Sequence, residues 1–138
     1  MESEIIWGGE PEDVCVRTSG VATVEGFSSW LLEGLSDPRM RPGLRVIVDH
    51  RLLDTSGMRY EDVDRRVEIA AREAPRFTDI HIAVVVGREV EFGILRILES
   101  LFEARPEISS ILHVFRSIED ARSWLSTFPP PQPAGDDT

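Results

Sequence analysis

Cysteine occurs once, at Cys15, so no internal disulfide can form and burial alone must hold the fold. A small secreted domain more often carries paired cysteines, and the expected compartment is the cytoplasm. Basic charge is also short. The 25 acidic side chains outnumber the 15 basic ones and leave a formal charge of −10, which repels a phosphate backbone and an anionic membrane surface alike. Nucleic acid is therefore not an expected partner. No apolar run approaches the roughly 20 residues of a spanning helix, so no transmembrane segment is expected. Met1-Glu-Ser-Glu-Ile-Ile-Trp7 has neither the basic start nor the apolar stretch of a secretory leader.

What is present is an alternation of strand and helix patterns over 138 residues, the size of one domain. Val14–Gly20 alternates apolar and polar side chains, and Ile5–Gly8 can pair with it through Gly-Glu-Pro-Glu-Asp, an initial β-hairpin. Phe27, Trp30, Leu31 and Leu35 recur at helical spacing, with Thr23 as N-cap. Leu44–Asp49 and Ile80–Gly87 are compact β-branched runs of the parallel-strand type. Between them Val63, Val67, Ala70, Ala71 and Ala74 form a helical stripe, with Arg65, Arg66 and Arg72 on its outer side. A third helix, over 90–104, carries Val90, Ile94, Ile97, Leu98 and Leu101 inward, widened by Leu95 and Phe102. Ile111–Phe115 is the last strand, and Ser117 opens a final helix with Ile118, Ala121, Leu125 and Phe128 inward.

The order predicts an α/β fold: a hairpin, then a mixed, mostly parallel sheet of about five strands covered by about four helices. The single domain spans 1–128, and the Pro-rich stretch 129–138 is expected to be a disordered tail. Strand carboxyl ends are where open α/β sheets bind ligands and partners. That rim carries Asp49 to Met58, Gly87 to Glu91, and Arg116 to Ser117. Within it Asp49, His50, Arg51, Asp54, Met58 and Arg88 are the candidate partner- or anion-binding residues. Asp49 and Arg51 are expected to form an ion pair that includes Arg88, or to hold a small anion beside a helix N-terminus.

Catalytic chemistry is not indicated. Asp49, His50 and Ser56 supply the residue types of a nucleophilic triad, but strand neighbours point to opposite faces, so Asp49 cannot orient the His50 ring. Gly87 and Gly93 lack phosphate-loop spacing and its lysine, which leaves no nucleotide cofactor to expect. His50 at a strand exit and His81 at a strand entrance would lie on the order of 15–20 Å apart in parallel strands, so no metal centre is expected. Trp7, Trp30 and Trp124 fall on separate elements and suit core edges.

Four segments together resemble the STAS-like group, related to the anti-sigma-factor antagonist SpoIIAA, and especially its small stand-alone bacterial members. They are the Ser19-Gly20 strand end, Val46-Ile-Val-Asp-His-Arg51, Ile82 through Arg96 with Phe92-Gly-Ile-Leu-Arg, and Val114 through Leu125. In the phosphorylatable antagonists, an Asp-Ser-Ser-Gly sequence near a helix start carries a serine whose modification blocks binding to a kinase partner. Asp54-Thr55-Ser56-Gly57 is similar, and the resemblance implies Ser56 as phosphoacceptor with Thr55 its neighbour. The same letters are also an ordinary turn, with glycine free to take positive φ. The helix here is expected to start nearer Tyr60 or Glu61.

The resulting expectation is a non-enzymatic regulatory or protein-interaction module, binding a protein partner or a second copy of itself as a homodimer, with a candidate phosphorylation switch. The alternative is a small-molecule or lipid-binding domain, with its site at the strand carboxyl ends or under the helix at 90–104. An exposed apolar strip would favour the first and an internal cavity the second.

Overall fold

Val14, Val16 and Thr18 are buried, while Cys15, Arg17 and Ser19 between them are not. That period of two is what a strand shows when one face meets the core. In the computed structural model, which describes residues 1–132, this segment is the second of five strands. The strands are β1 (Glu2–Trp7), β2 (Val14–Val21), β3 (Arg45–Asp54), β4 (His81–Val85) and β5 (Ile111–Phe115). They lie side by side in chain order, β1 antiparallel to β2 and every later pair parallel. Helices α1 (Val24–Leu35), α2 (Tyr60–Glu73), α3 (Glu89–Glu103) and α4 (Ile118–Leu125) complete the expected α/β architecture.

Adding each parallel strand on the same side of its predecessor, with right-handed crossovers, places the connecting helices on one face. Phe27 and Trp30 of α1, Val63 and Val67 of α2, and Leu95 and Leu98 of α3 accordingly share one core with Val16, Val48, Val84 and Val114. Helix α4 follows the last strand and covers the opposite face, where Ala121 and Leu125 pack on Ile47, Ala83 and Val85. Glu12 helps to hold it there. Its carboxylate is buried and accepts from Arg122 of α4 at 3.1 and 3.2 Å.

The caps follow the sequence. Thr23 Oγ1 accepts from the Gly26 amide at 2.9 Å and Ser117 Oγ from the Asp120 amide at 3.1 Å, each satisfying an N–H left free at a helix start. Two helix faces differ from expectation. Arg66 is buried rather than on the outer side of α2, whereas Arg65 and Arg72 are exposed as expected. On α3 the buried line is Glu91, Leu95, Leu98 and Phe102, which turns Val90 and Ile97 outward.

Strand β3 also runs five residues beyond its expected end at Asp49, because β2 is long enough to pair with it as far as Val21 opposite Asp54. His50, Arg51 and Asp54 are therefore strand residues, and the rim loop proper begins at Thr55. Pro129–Gln132 lie beside the loop that leads into β3, where Arg41 Nε donates to the Gln132 carbonyl at 2.7 Å. The remainder of the expected tail, 133–138, lies outside the described residues.

Candidate functional site at the strand carboxyl ends

Between β2 and β3 the register slips. Arg17 stands opposite Asp49 but Ser19 stands opposite Leu52, so β3 carries one extra residue there, the signature of a bulge. Asp49, just before it, and His50, within it, face opposite sides of the sheet. On the α4 side Asp49 takes a bidentate grip from Arg51, Nε to Oδ1 at 2.9 Å and Nη2 to Oδ2 at 2.8 Å. Burial works to raise the Asp49 carboxyl, but the Arg51 side chain and amide outweigh it and hold the group below its ordinary pKa. Arg88 is not part of this pair, contrary to expectation.

On the other side His50 is 1% exposed and lies within a hydrogen-bonded line. The Thr18 hydroxyl donates to the Asp49 carbonyl at 3.2 Å and stands 2.6 Å from His50 Nδ1. A hydroxyl has one proton to give, so Nδ1 must carry the proton shared with Thr18, which leaves Nε2 as an acceptor. Arg66 Nη2 meets that atom at 3.5 Å. Burial, reinforced by the Arg66 charge and only partly opposed by Asp49, pushes the imidazole pKa down to about 3. The ring is neutral at physiological pH.

Arg66 was not among the expected site residues, and it is the most unusual group in the interior. It is 5% exposed, its Cζ lies 4.4 Å over the Phe27 ring, and its Nε has no hydrogen-bond partner among the described residues. Burial pulls its pKa down to about 10, which still leaves it charged at neutral pH. Arg66 is one of the residues around a cavity of about 100 Å³ between the sheet and the helices. The remaining wall is apolar, with Val48 and Val84 from the sheet, Trp30 from α1 and Phe102 from α3 among its members. The Trp30 indole Nε1 is likewise buried without a partner among the described residues.

The loop after β3 is tied to α3. The Thr55 hydroxyl donates to Glu91 Oε2 at 2.8 Å, and Arg88 Nη2 reaches the same oxygen at 3.2 Å. Burial tends to raise the Glu91 carboxyl, yet these two donors hold it below its ordinary pKa. With Thr55 1% exposed and its hydroxyl engaged, that side chain is closed to a modifying enzyme in this conformation. Ser56 is exposed. Its amide donates to Asp54 Oδ1 at 2.9 Å, and the Met58 amide donates to the Thr55 carbonyl at 3.0 Å, a compact turn before Tyr60 opens α2.

The structure thus joins Asp49 to Arg51, Asp54 to Ser56, and Thr55 to Arg88 through Glu91, while His50 belongs to a separate interior cluster and Met58 is half-buried beside the core. Among the described residues no three His, Cys, Asp or Glu side chains gather as a metal site. Nor is any described helix long and apolar enough to cross a membrane. The missed residues did carry a positional signal. Arg66 falls three residues after Val63 and four before Ala70, and Glu91 four before Leu95, all inside the apolar stripes.

This topology defines a SpoIIAA-like fold. An uncharacterized protein of the DUF3478 family from Shewanella loihica PV-4, with a SpoIIAA-like fold, superposes with a TM-score of 0.56 at 16% identity, over 90% of this chain and 92% of its own. At that identity the likeness concerns the fold. No protein-family model and no curated protein matches the sequence.

Proposed function

We propose that the protein is a non-enzymatic interaction module whose strand-end rim receives a protein partner, with Ser56 as a modifiable switch beside it. The observation that carries this reading is a set of large apolar side chains left uncovered on that rim. Leu52 is 80% exposed, and Val21, Tyr60 and Val90 are exposed at the adjoining ends of β2, α2 and α3. Apolar groups gathered around a loop braced from within, as Thr55 braces this one on Glu91, suit a preformed contact surface. A phosphate on Ser56 would add close to two negative charges at its edge.

The chain contains no lysine, so the test uses a photo-crosslinking residue placed at position 52, at 90, and at exposed Arg72 in the last turn of α2 as control. The reading expects one polypeptide to be captured from 52 and 90 in the source cells, not from 72, and less of it with Ser56→Glu. Capture that is equal from all positions, or absent from the rim, overturns it. A second reading, binding of a small apolar molecule, is favoured by the apolar cavity between the sheet and the helices.

A further inference from the structure

We infer that the cavity between the sheet and the helices binds an uncharged hydrocarbon of a few carbons, admitted at the seam between β1 and α1, where Gly34 holds the way open. This rests on the small-molecule reading and adds to it the ligand's polarity, its size and its point of entry. Val48, Val84, Trp30 and Phe102 are typical of the wall. The unpartnered nitrogens of Arg66 and Trp30 are buried and offer the space no free surface, so the wall gives a ligand almost no hydrogen-bond partner. A carboxylate, amide or hydroxyl would enter without compensation for the water it leaves, which excludes charged and strongly polar compounds. Size narrows the class further. An apolar cavity of about 150 Å³ admits benzene or xenon. One of about 100 Å³ admits a hydrocarbon of about four or five carbons and has no room for a long chain.

Most of the half-buried members of the wall gather at one place. They are Ile5 and Trp7 on β1, Leu31 and Gly34 on α1, and Met40 in the loop after it. Strand β1 is an edge of the sheet, so no further strand among the described residues closes that side. The other half-buried members, Val46 and Ile82, stand in register with Trp7 through Val14, in a row near the amino ends of the parallel strands. The opening is therefore at the opposite end of the sheet from the rim. Gly34 leaves the seam open. A glycine within a helix costs stability relative to alanine, and here a methyl group would fit. Beyond the helix backbone, a Cβ on residue 34 would meet only Ile5 Cδ1 among the described residues, at 3.9 Å, an ordinary contact. A longer side chain there would lie against Ile5 across the entry.

Cyclopentane, cyclopentanol and naphthalene serve as probes of the full chain. The readout is the methyl resonances of Val48 and Val84 on the cavity wall, with those of Ile47 and Leu125 in the separate core under α4 as internal control. Cyclopentane is expected to shift the first pair saturably and to leave the second in place. Cyclopentanol is expected to bind at least about tenfold more weakly, because its hydroxyl is buried unpaired, and naphthalene to give no saturable shift. Gly34→Leu is expected to weaken cyclopentane at least about tenfold, its isobutyl group taking the space the ligand needs, while Gly34→Ala binds as the native protein does. If cyclopentanol or naphthalene matches cyclopentane, the cavity still binds small molecules and the assigned class falls. If folded Gly34→Leu binds cyclopentane as the native protein does, the entry at the seam falls. Equal shifts in both cores mean unspecific partition and overturn the site. Saturation by none of the probes overturns this inference and the small-molecule reading together. The comparison of probes needs no substitution, and Gly34→Met, with a more pliant side chain, tests the entry if Gly34→Leu does not fold.

Discussion

His50 and Arg66 face each other inside the protein with Nε2 3.5 Å from Nη2, and Thr18 determines which imidazole nitrogen turns toward the arginine. A protonated ring there would set two cations together out of reach of water. The folded state therefore holds His50 neutral down to about pH 3, while an unfolded chain protonates it near 6.5.

Between those values the unfolded state binds the additional proton, so stability is complete above about pH 6.5 and falls as pH falls through that window. His50 alone is expected to remove about 2 kcal/mol between pH 7 and pH 5. His81, which burial also depresses, adds to the same trend. Urea denaturation across that range should show the slope reduced in His50→Gln, and an unchanged slope would assign the effect elsewhere.

Arg66→Met removes a buried charge that no carboxylate among the described residues pairs with, and replaces it by an unbranched apolar chain. In the absence of ligand the variant is expected to be more stable by about 1–3 kcal/mol, as when buried ionic groups yield to apolar ones. Its urea midpoint at neutral pH measures this. A large loss of stability would mean that the guanidinium is satisfied in the unliganded protein.

Thr55→Val keeps the shape of the side chain but withdraws a donor from the buried Glu91 carboxylate. The expected cost is about 1–3 kcal/mol, and Thr55→Ser should recover most of it. Hydrogen exchange should quicken in the amides of residues 55–58, since the loop loses its tie to α3.

Ser56 and Thr55 are neighbours in sequence but differ in access. Treating the folded protein with a permissive serine/threonine kinase is expected to put phosphate on Ser56 and not on Thr55, as mass spectrometry of the peptide that carries both would show. Modification of Thr55 to the same extent would show that the loop opens readily.

Leu125→Ala tests how firmly α4 is held on the far face. Leu125 is fully buried against Ile47, Ala83 and Val85, so the expected loss is about 2–5 kcal/mol. Arg122→Ala should cost less, because Arg122 itself is half exposed and the main penalty is the buried Glu12 carboxylate it leaves behind.

Much of the framework was readable from local patterns alone. The hairpin, the Thr23 and Ser117 caps, the start of α2 at Tyr60 and the order of elements all follow from side-chain period and from residues that satisfy free backbone groups. The same is true of the opposition of Asp49 and His50, since adjacent strand residues must point to opposite faces. The Asp49–Arg51 pair needed only their two-residue spacing on one strand face.

What the tertiary structure decided are the relations between distant segments. Residue period cannot say that α4 crosses to the far face, that β3 continues to Asp54 because β2 is there to pair with it, or that Thr55 closes on Glu91 and leaves Ser56 open. Nor does charge alone reveal its own burial. Arg66 belongs by type to the surface and by position to the apolar stripe of α2, and position prevailed because Val63, Val67 and Ala70 must all meet the core together. A helix buries its stripe as a rigid face, and a charged residue within that face goes in with it.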